Sequence, residues 1–294
     1  MSSIITDELK RMRPEIAASS LKTYTSILKN LHKTTFGKDE PITIDSFRKK
    51  EDIVKTLSNT PINTCKTTLS ALVVLTGMNE YRELMLEQIA KYKTNENKQQ
   101  MSDKQIKNEV SQKEIDDEYN ELKKMATALY KKRNVNLDDL QQIQQYIIAS
   151  LYFGYYIAPR RAENIKVKLK DFKEDEDNYI KGNKIVYNQY KTSKFYGKQE
   201  IVMPPQLRKI MKKWMEVNPT NYLLFDTKFQ PLTSVSINQR INKLFSTKKV
   251  GINGLRHSYM SKKYGSSIDV NKDIADDLEA MGSSSAQEKV YIKE

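Results

Sequence analysis

Leu140, Ile143, Ile147, Leu151 and Tyr155 recur every three or four residues and run towards Pro159. At 3.6 residues per turn they share one face, which predicts an amphipathic helix with a buried stripe. Pro159 must end it, because the residue before a proline avoids helical backbone angles. The same period returns at Leu21, Tyr24, Leu28 and Leu31, with Ser19 and Ser20 as expected caps. It returns at Ile62, Cys65, Leu69 and Leu72, and more faintly at Leu84, Ile89 and Tyr92. Ile115, Tyr119, Leu122, Ala126 and Leu129 form a further stripe, as do Leu207, Ile210, Met211 and Trp214. Three more helices are expected over residues 236–245, 255–264 and 273–281. A chain so patterned must bury helix faces against one another.

One interval reads differently. "PRRAENIKVKLKDF", from Pro159, suits a short helix followed by a strand-like tail. Then come "NYI", a Gly182-Asn183 turn, "KIVYNQY", a polar tip "KTSKFYGK" and "QEIVMP". Apolar alternation on either side of a turn dipeptide predicts a small antiparallel sheet carrying a lysine-rich hairpin. The expected fold is therefore mainly α with a small antiparallel β-sheet in the second domain. The expected domains are a helical one over residues 1–95, a polar linker over 96–117 and a second domain over 118–294.

Composition narrows the chemistry. Hydrophobic residues make up 38% and charged residues 30% of the 294, as in a soluble globular chain. No apolar run approaches the ~20 residues that span a bilayer, and the N-terminus lacks a signal-peptide core. No membrane partner is expected, and the setting is expected to be intracellular. A lone cysteine, Cys65, excludes an internal disulfide and a cysteine-based zinc site. His32 and His257 are the only histidines, so HExxH is impossible, and no Walker or Rossmann glycine motif occurs.

Charge is unevenly spread. Residues 181–265 hold 17 Lys and Arg against Glu200, Glu216 and Asp226, a net of +14. The rest of the chain has 33 basic and 34 acidic residues, a net of −1. Such a segment attracts a polyanion, and a phosphate backbone is the commonest one. It also lacks the clustered carboxylates that a metal-dependent nuclease needs. What remains is phosphodiester chemistry by arginine, lysine and tyrosine.

The parts occur in order: "PRRAEN" with Arg160 and Glu163, "QYKTSK" with Lys191, "NGLRHS" with Arg256 and His257, and "MGSSSAQEKVYIKE" with Tyr291. This set resembles the tyrosine recombinase (integrase) family of site-specific DNA recombinases. "SSLKTYTSILKNL" and "TPINTCKTTLSAL" also resemble that family's helical core-binding domain, so the likeness covers most of the chain. The "PRRAEN" form is most similar to integrases of DNA viruses, virophages and related mobile elements of eukaryotes.

The resemblance implies a two-domain clamp around double-stranded DNA, working as a homotetramer on two DNA sites without metal or cofactor. It implies that Arg160 and Arg256 grip the scissile phosphate, with Glu163 and His257 supporting that site. Lys191 would protonate the departing 5′ oxygen, and Tyr291 would form a 3′-phosphotyrosyl link. Lys194 and Lys198 on the hairpin, and Lys262 and Lys263 further on, are expected DNA contacts. The chain departs from the pattern at Asn253, where the family has histidine, and at Ser283, where it has histidine or tryptophan. Neither replacement can shuttle a proton near neutral pH. Ser283 lies eight residues before Tyr291, one closer than the pattern. Only Ile292, Lys293 and Glu294 follow Tyr291, where family members often pass a longer helix to a neighbour. Two alternatives stay open: a recombinase-derived DNA-binding protein with reduced catalysis, and a type IB topoisomerase.

Overall fold

The computed structural model describes residues 4–97, 103–245, 248–265, 267, 270 and 271. Two compact units divide it, Met1–Met101 and Ser102–Glu294. No helix among the described residues is long and apolar enough to cross a membrane.

The first unit is wholly helical among its described residues: α1 (Ile4–Met12), α2 (Ala18–Phe36), a 3₁₀ turn (Asp45–Arg48), α3 (Lys50–Leu57), α4 (Ile62–Thr76) and α5 (Asn79–Asn97). Its centre is α4, apolar over most of its circumference, with Cys65, Leu69, Ala71, Leu72 and Leu75 buried. From the other helices Ile5, Leu9, Leu28, Leu31, Ile53 and Tyr81 close around it. Gly77, with φ +69°, ends α4 in the left-handed conformation that glycine adopts without strain. His32 is buried between the rings of Phe36 and Phe47, at 5.2 and 5.8 Å. The expected caps Ser19 and Ser20 lie inside α2 instead. Ala17 is the N-cap, without a side-chain bond, and its exposure leaves the first amides to water.

The second unit begins with α6 (Asp103–Lys107), α7 (Gln112–Leu129) and α8 (Leu137–Tyr152). Residues 112–117, expected as linker, form the first turns of α7. Ser111 and Glu114 make a reciprocal capping box that starts the helix there. Asn136 and Asp139 do the same for α8. This second helix is the spine of the core: Ile143, Ile147, Ile148, Leu151 and Tyr152 are all buried. Burial of each such aliphatic side chain contributes about 1.5–3 kcal/mol.

A 3₁₀ turn (Ala162–Lys166) leads to β1 (Val167–Lys168), β2 (Asn178–Lys181), β3 (Lys184–Tyr187), the single turn α9 (Ser193–Tyr196) and β4 (Gln199–Val202). Then α10 (Pro205–Val217), α11 (Ser234–Leu244) and α12 (Ile252–Tyr264) follow among the described residues. The sheet order is β1-β2-β3-β4, with Gly182 at φ +61° in the tight turn between β2 and β3. The fold is thus mainly α with one small sheet, but the sheet is mixed. β2, β3 and β4 pair antiparallel, whereas β1 runs parallel to β2. A two-residue strand carries no alternation to read. It is held from its other side by the 221–223 segment, with Leu169 N–H to Asn221 O at 2.7 Å and Leu223 N–H to Val167 O at 2.8 Å.

Helix α8 stops at Tyr152, well before Pro159. Gly154 has φ +80°, and a Cβ there would lie 2.5 Å from Cδ2 of Tyr259. The approach of α12 therefore decides where α8 ends. Tyr155, expected in the buried stripe, is consequently 38% exposed, and its hydroxyl donates to Asp116. The first residues of α12 precede the expected start at Leu255, because Asn238 Oδ1 accepts from the Ile252 amide at 3.0 Å. The helix expected over 273–281 lies outside the described residues.

Candidate nucleic-acid interface

Arg160 follows Pro159 on the irregular path from α8 to the 3₁₀ turn. Its guanidinium carbon lies 4.0 Å from the Tyr187 ring centroid and 5.0 Å from that of Tyr190. Nη1 donates to Gln199 Oε1 at 2.9 Å. Nε is buried without a hydrogen-bond partner, and no carboxylate is ion-paired with the guanidinium among the described residues. A guanidinium carries five donors, so this one has capacity to spare. Tyr187 donates to Asn164 Oδ1 at 2.6 Å, fixing the ring under the arginine. Burial pushes the Tyr187 hydroxyl upward, Arg160 opposes that shift and Glu163 adds to it. Glu163 is itself buried, with Oε2 unpartnered. Arg160 and Glu163 therefore share one desolvated neighbourhood, floored by Tyr187.

Arg161 is exposed and contributes its carbonyl, which accepts from Tyr152 Oη at 3.0 Å. Tyr187, Tyr190, Asn164 and Gln199, which build the Arg160 site, were not legible as site residues. Gln199 is 39 residues from Arg160, and only strand pairing carries it there.

The lysine hairpin leaves the sheet from the same place. Tyr190 and Gln199, on either side of its tip, both touch Arg160. Its base is fixed by Asn178, whose Oδ1 accepts from the amides of Asn188 and Gln189 at 2.9 and 2.7 Å. Lys191 and Lys194 are exposed, and neither is ion-paired among the described residues. Lys198 reaches Glu200 at 3.6 Å, where Lys184 also pairs at 2.7 Å. The fold thus brings Arg160, Glu163 and the hairpin bearing Lys191 together.

The basic helix α12 carries the second set. Leu255 and Ile252 bury one side of it, and Tyr259 covers Gly154. Asn253 and His257 are exposed, and Arg256 is half-buried. Asn253 Oδ1 accepts from Arg256 Nη1 at 3.3 Å, so the asparagine orients the arginine. Lys263 lies 5.7 and 5.2 Å from the ring centroids of Tyr259 and Tyr264. Lys262 lines a cleft of about 300 Å³ with Gln112, Tyr155, Ser258 and Tyr259. Among the described residues no hydrogen bond joins this set to Arg160. Ser283 and Tyr291 lie outside the described residues.

Each of the two half-buried arginines lacks a carboxylate ion pair among the described residues and lies on or against a lysine-bearing element, a setting suited to phosphate. No group of three or more potential metal ligands occurs among the described residues.

No family model matches the chain, and no curated protein matches it in sequence. Among solved structures, the crystal structure of XerA recombinase is similar over 88% of this chain and 82% of that one. The identity is 13% and the TM-score 0.35, an overlap too slight to carry residue roles from one chain to the other.

Proposed function

We propose that the protein binds duplex DNA and cuts and rejoins it through a covalent 3′-phosphotyrosyl intermediate. The observation that carries this reading is Arg160. Its guanidinium is stacked on Tyr187, is ion-paired with no carboxylate among the described residues, and spends one hydrogen bond on Gln199 out of its five donors. A non-bridging phosphate oxygen would meet the N–H groups of this half-buried guanidinium that Gln199 leaves unfilled. The net charge of +14 over residues 181–265 supports a polyanionic ligand.

In this reading Arg160 and Arg256 hold the scissile phosphate. Tyr291 Oη gives up its proton to solvent as it attacks phosphorus, the bond to the 5′ oxygen breaks, and Lys191 delivers a proton to that oxygen. Attack by a 5′ hydroxyl reverses the sequence and releases the tyrosine. Because the phosphotyrosyl ester conserves the bond energy, no nucleotide hydrolysis is required. Exchange between two DNA sites, by a tetramer, would make the protein a site-specific recombinase.

A second reading, DNA binding with weak or no cleavage, is favoured by Asn253. Its amide is engaged with Arg256 and cannot move a proton. Suicide duplexes that trap covalent adducts separate the two. The expected result is an adduct with the wild type and none with Tyr291→Phe, at unchanged DNA affinity. Adducts formed by the Phe variant would move the nucleophile to another tyrosine. Bound DNA without adducts in the wild type would leave the binding protein. Strand exchange between duplexes, against relaxation of supercoils alone, distinguishes a recombinase from a topoisomerase.

A further inference from the structure

The largest exposed apolar surface on the hairpin belongs to two adjacent rings. Phe195 is 85% exposed and Tyr196 69%. Both stand on α9, a single turn closed by Gly197 N–H to Ser193 O at 2.8 Å and Tyr196 N–H to Thr192 O at 3.2 Å. Tyr190 Oη donates to Gly197 O at 2.7 Å and ties the turn back to the hairpin base. Gly197 has φ +62° with open space around it, so its backbone rather than crowding calls for glycine. The rings are thus presented by a fixed turn. Lys191, Lys194 and Lys198 flank them in the sequence, and residues 188–199 contain no acid. The Tyr190 ring that anchors the tip is the one 5.0 Å from Arg160.

An apolar protein partner that covered these rings would also have to desolvate the flanking ammonium groups. A nucleic acid fits both features: phosphates take the lysines, and base faces take the rings. We infer that Phe195 and Tyr196 form a wedge that enters the duplex beside the phosphate held by Arg160 and unstacks a base step there. Apolar side chains inserted between base steps kink DNA and allow more protein surface to meet it. An opened step would free the strand next to the phosphate. The inference rests on the DNA reading above.

The test uses the full chain and a mixed-sequence duplex of about 30 bp, carrying 2-aminopurine at successive positions and a fluorophore pair at its ends. Wild-type protein should raise 2-aminopurine fluorescence and shorten the end-to-end distance. Phe195→Ala/Tyr196→Ala should abolish both signals and weaken binding by roughly tenfold or more. Its salt dependence should stay unchanged, because the lysines remain. Far-UV circular dichroism should match the wild type, since neither ring is buried. Wild-type binding without a 2-aminopurine change, or a double variant that keeps it, would overturn the wedge while sparing the DNA reading. Loss of self-association in the variant, with DNA unstacking intact, would assign the rings to a second copy and also overturn it. Failure of the wild type to bind duplex at low salt would overturn the DNA reading, and the wedge with it.

Discussion

At the scale of single residues, Gly154 and Arg160 carry most of the geometry. Gly154 combines a φ of +80° with a ring edge 2.5 Å from where a Cβ would stand. An alanine there meets both backbone strain and Tyr259. Gly154→Ala is therefore expected to cost about 1–3 kcal/mol, read as a melting point several degrees lower. In a Tyr259→Ala background the same substitution should cost less, because the collision is gone and only the backbone term remains. Equal cost in both backgrounds would show that Tyr259 does not set the end of α8. Arg160 illustrates the opposite limit. Its neighbourhood of Tyr187, Tyr190 and Gln199 is assembled from residues far along the chain.

At the scale of elements, the start of α7 is tied to the loop before α12. Glu114 caps α7 through Ser111 and pairs with Lys248 at 2.6 Å. The Lys248 hydrogen bond, then those from Ser111, hold its carboxyl down to about 2, below the ordinary 4.5. A depressed carboxyl stabilises the fold above pH 4.5, and that contribution is lost as pH falls towards about 2. Glu114→Gln keeps a capping side chain but no charge. It should lower the melting temperature by about 1–3 °C at pH 6, as for a pair still partly open to solvent. The difference from wild type should vanish near pH 2 in thermal melts followed by circular dichroism. A difference that persists there would mean that packing, not charge, joins these elements. The Ser-x-x-Glu signature was present in the sequence, but it sits in a polar stretch whose composition reads as linker.

At the scale of the whole molecule, the charge asymmetry should govern affinity. If about 6–10 phosphates are contacted, log Kd should change with log salt at a slope of magnitude roughly 5–9. Fluorescence anisotropy on duplex DNA between low and moderate salt measures it, and a flat response would sink the electrostatic footprint. Lys191 and Lys194, exposed and free of ion pairs among the described residues, are placed to contribute. Lys184 and Lys198 share Glu200 and should contribute less.

The sequence by itself determined the helical class, because a 3.6-residue apolar period commits each segment to bury one face whatever its neighbours are. It also determined the β2–β3 hairpin, through Gly182-Asn183 and the alternation beside it, and the concentration of positive charge over residues 181–265. Local period and local turn chemistry need no partner to be read. Tertiary structure decided where α8 stops, since Pro159 gave an upper limit and Tyr259, packed against Gly154, set the actual end at Tyr152. It alone gave β1 its parallel partner, because two residues have no period. It alone placed Tyr187, Tyr190 and Gln199 around Arg160. Those contacts span up to 39 residues of sequence, and their energy depends on desolvation and stacking that exist only once the chain has folded.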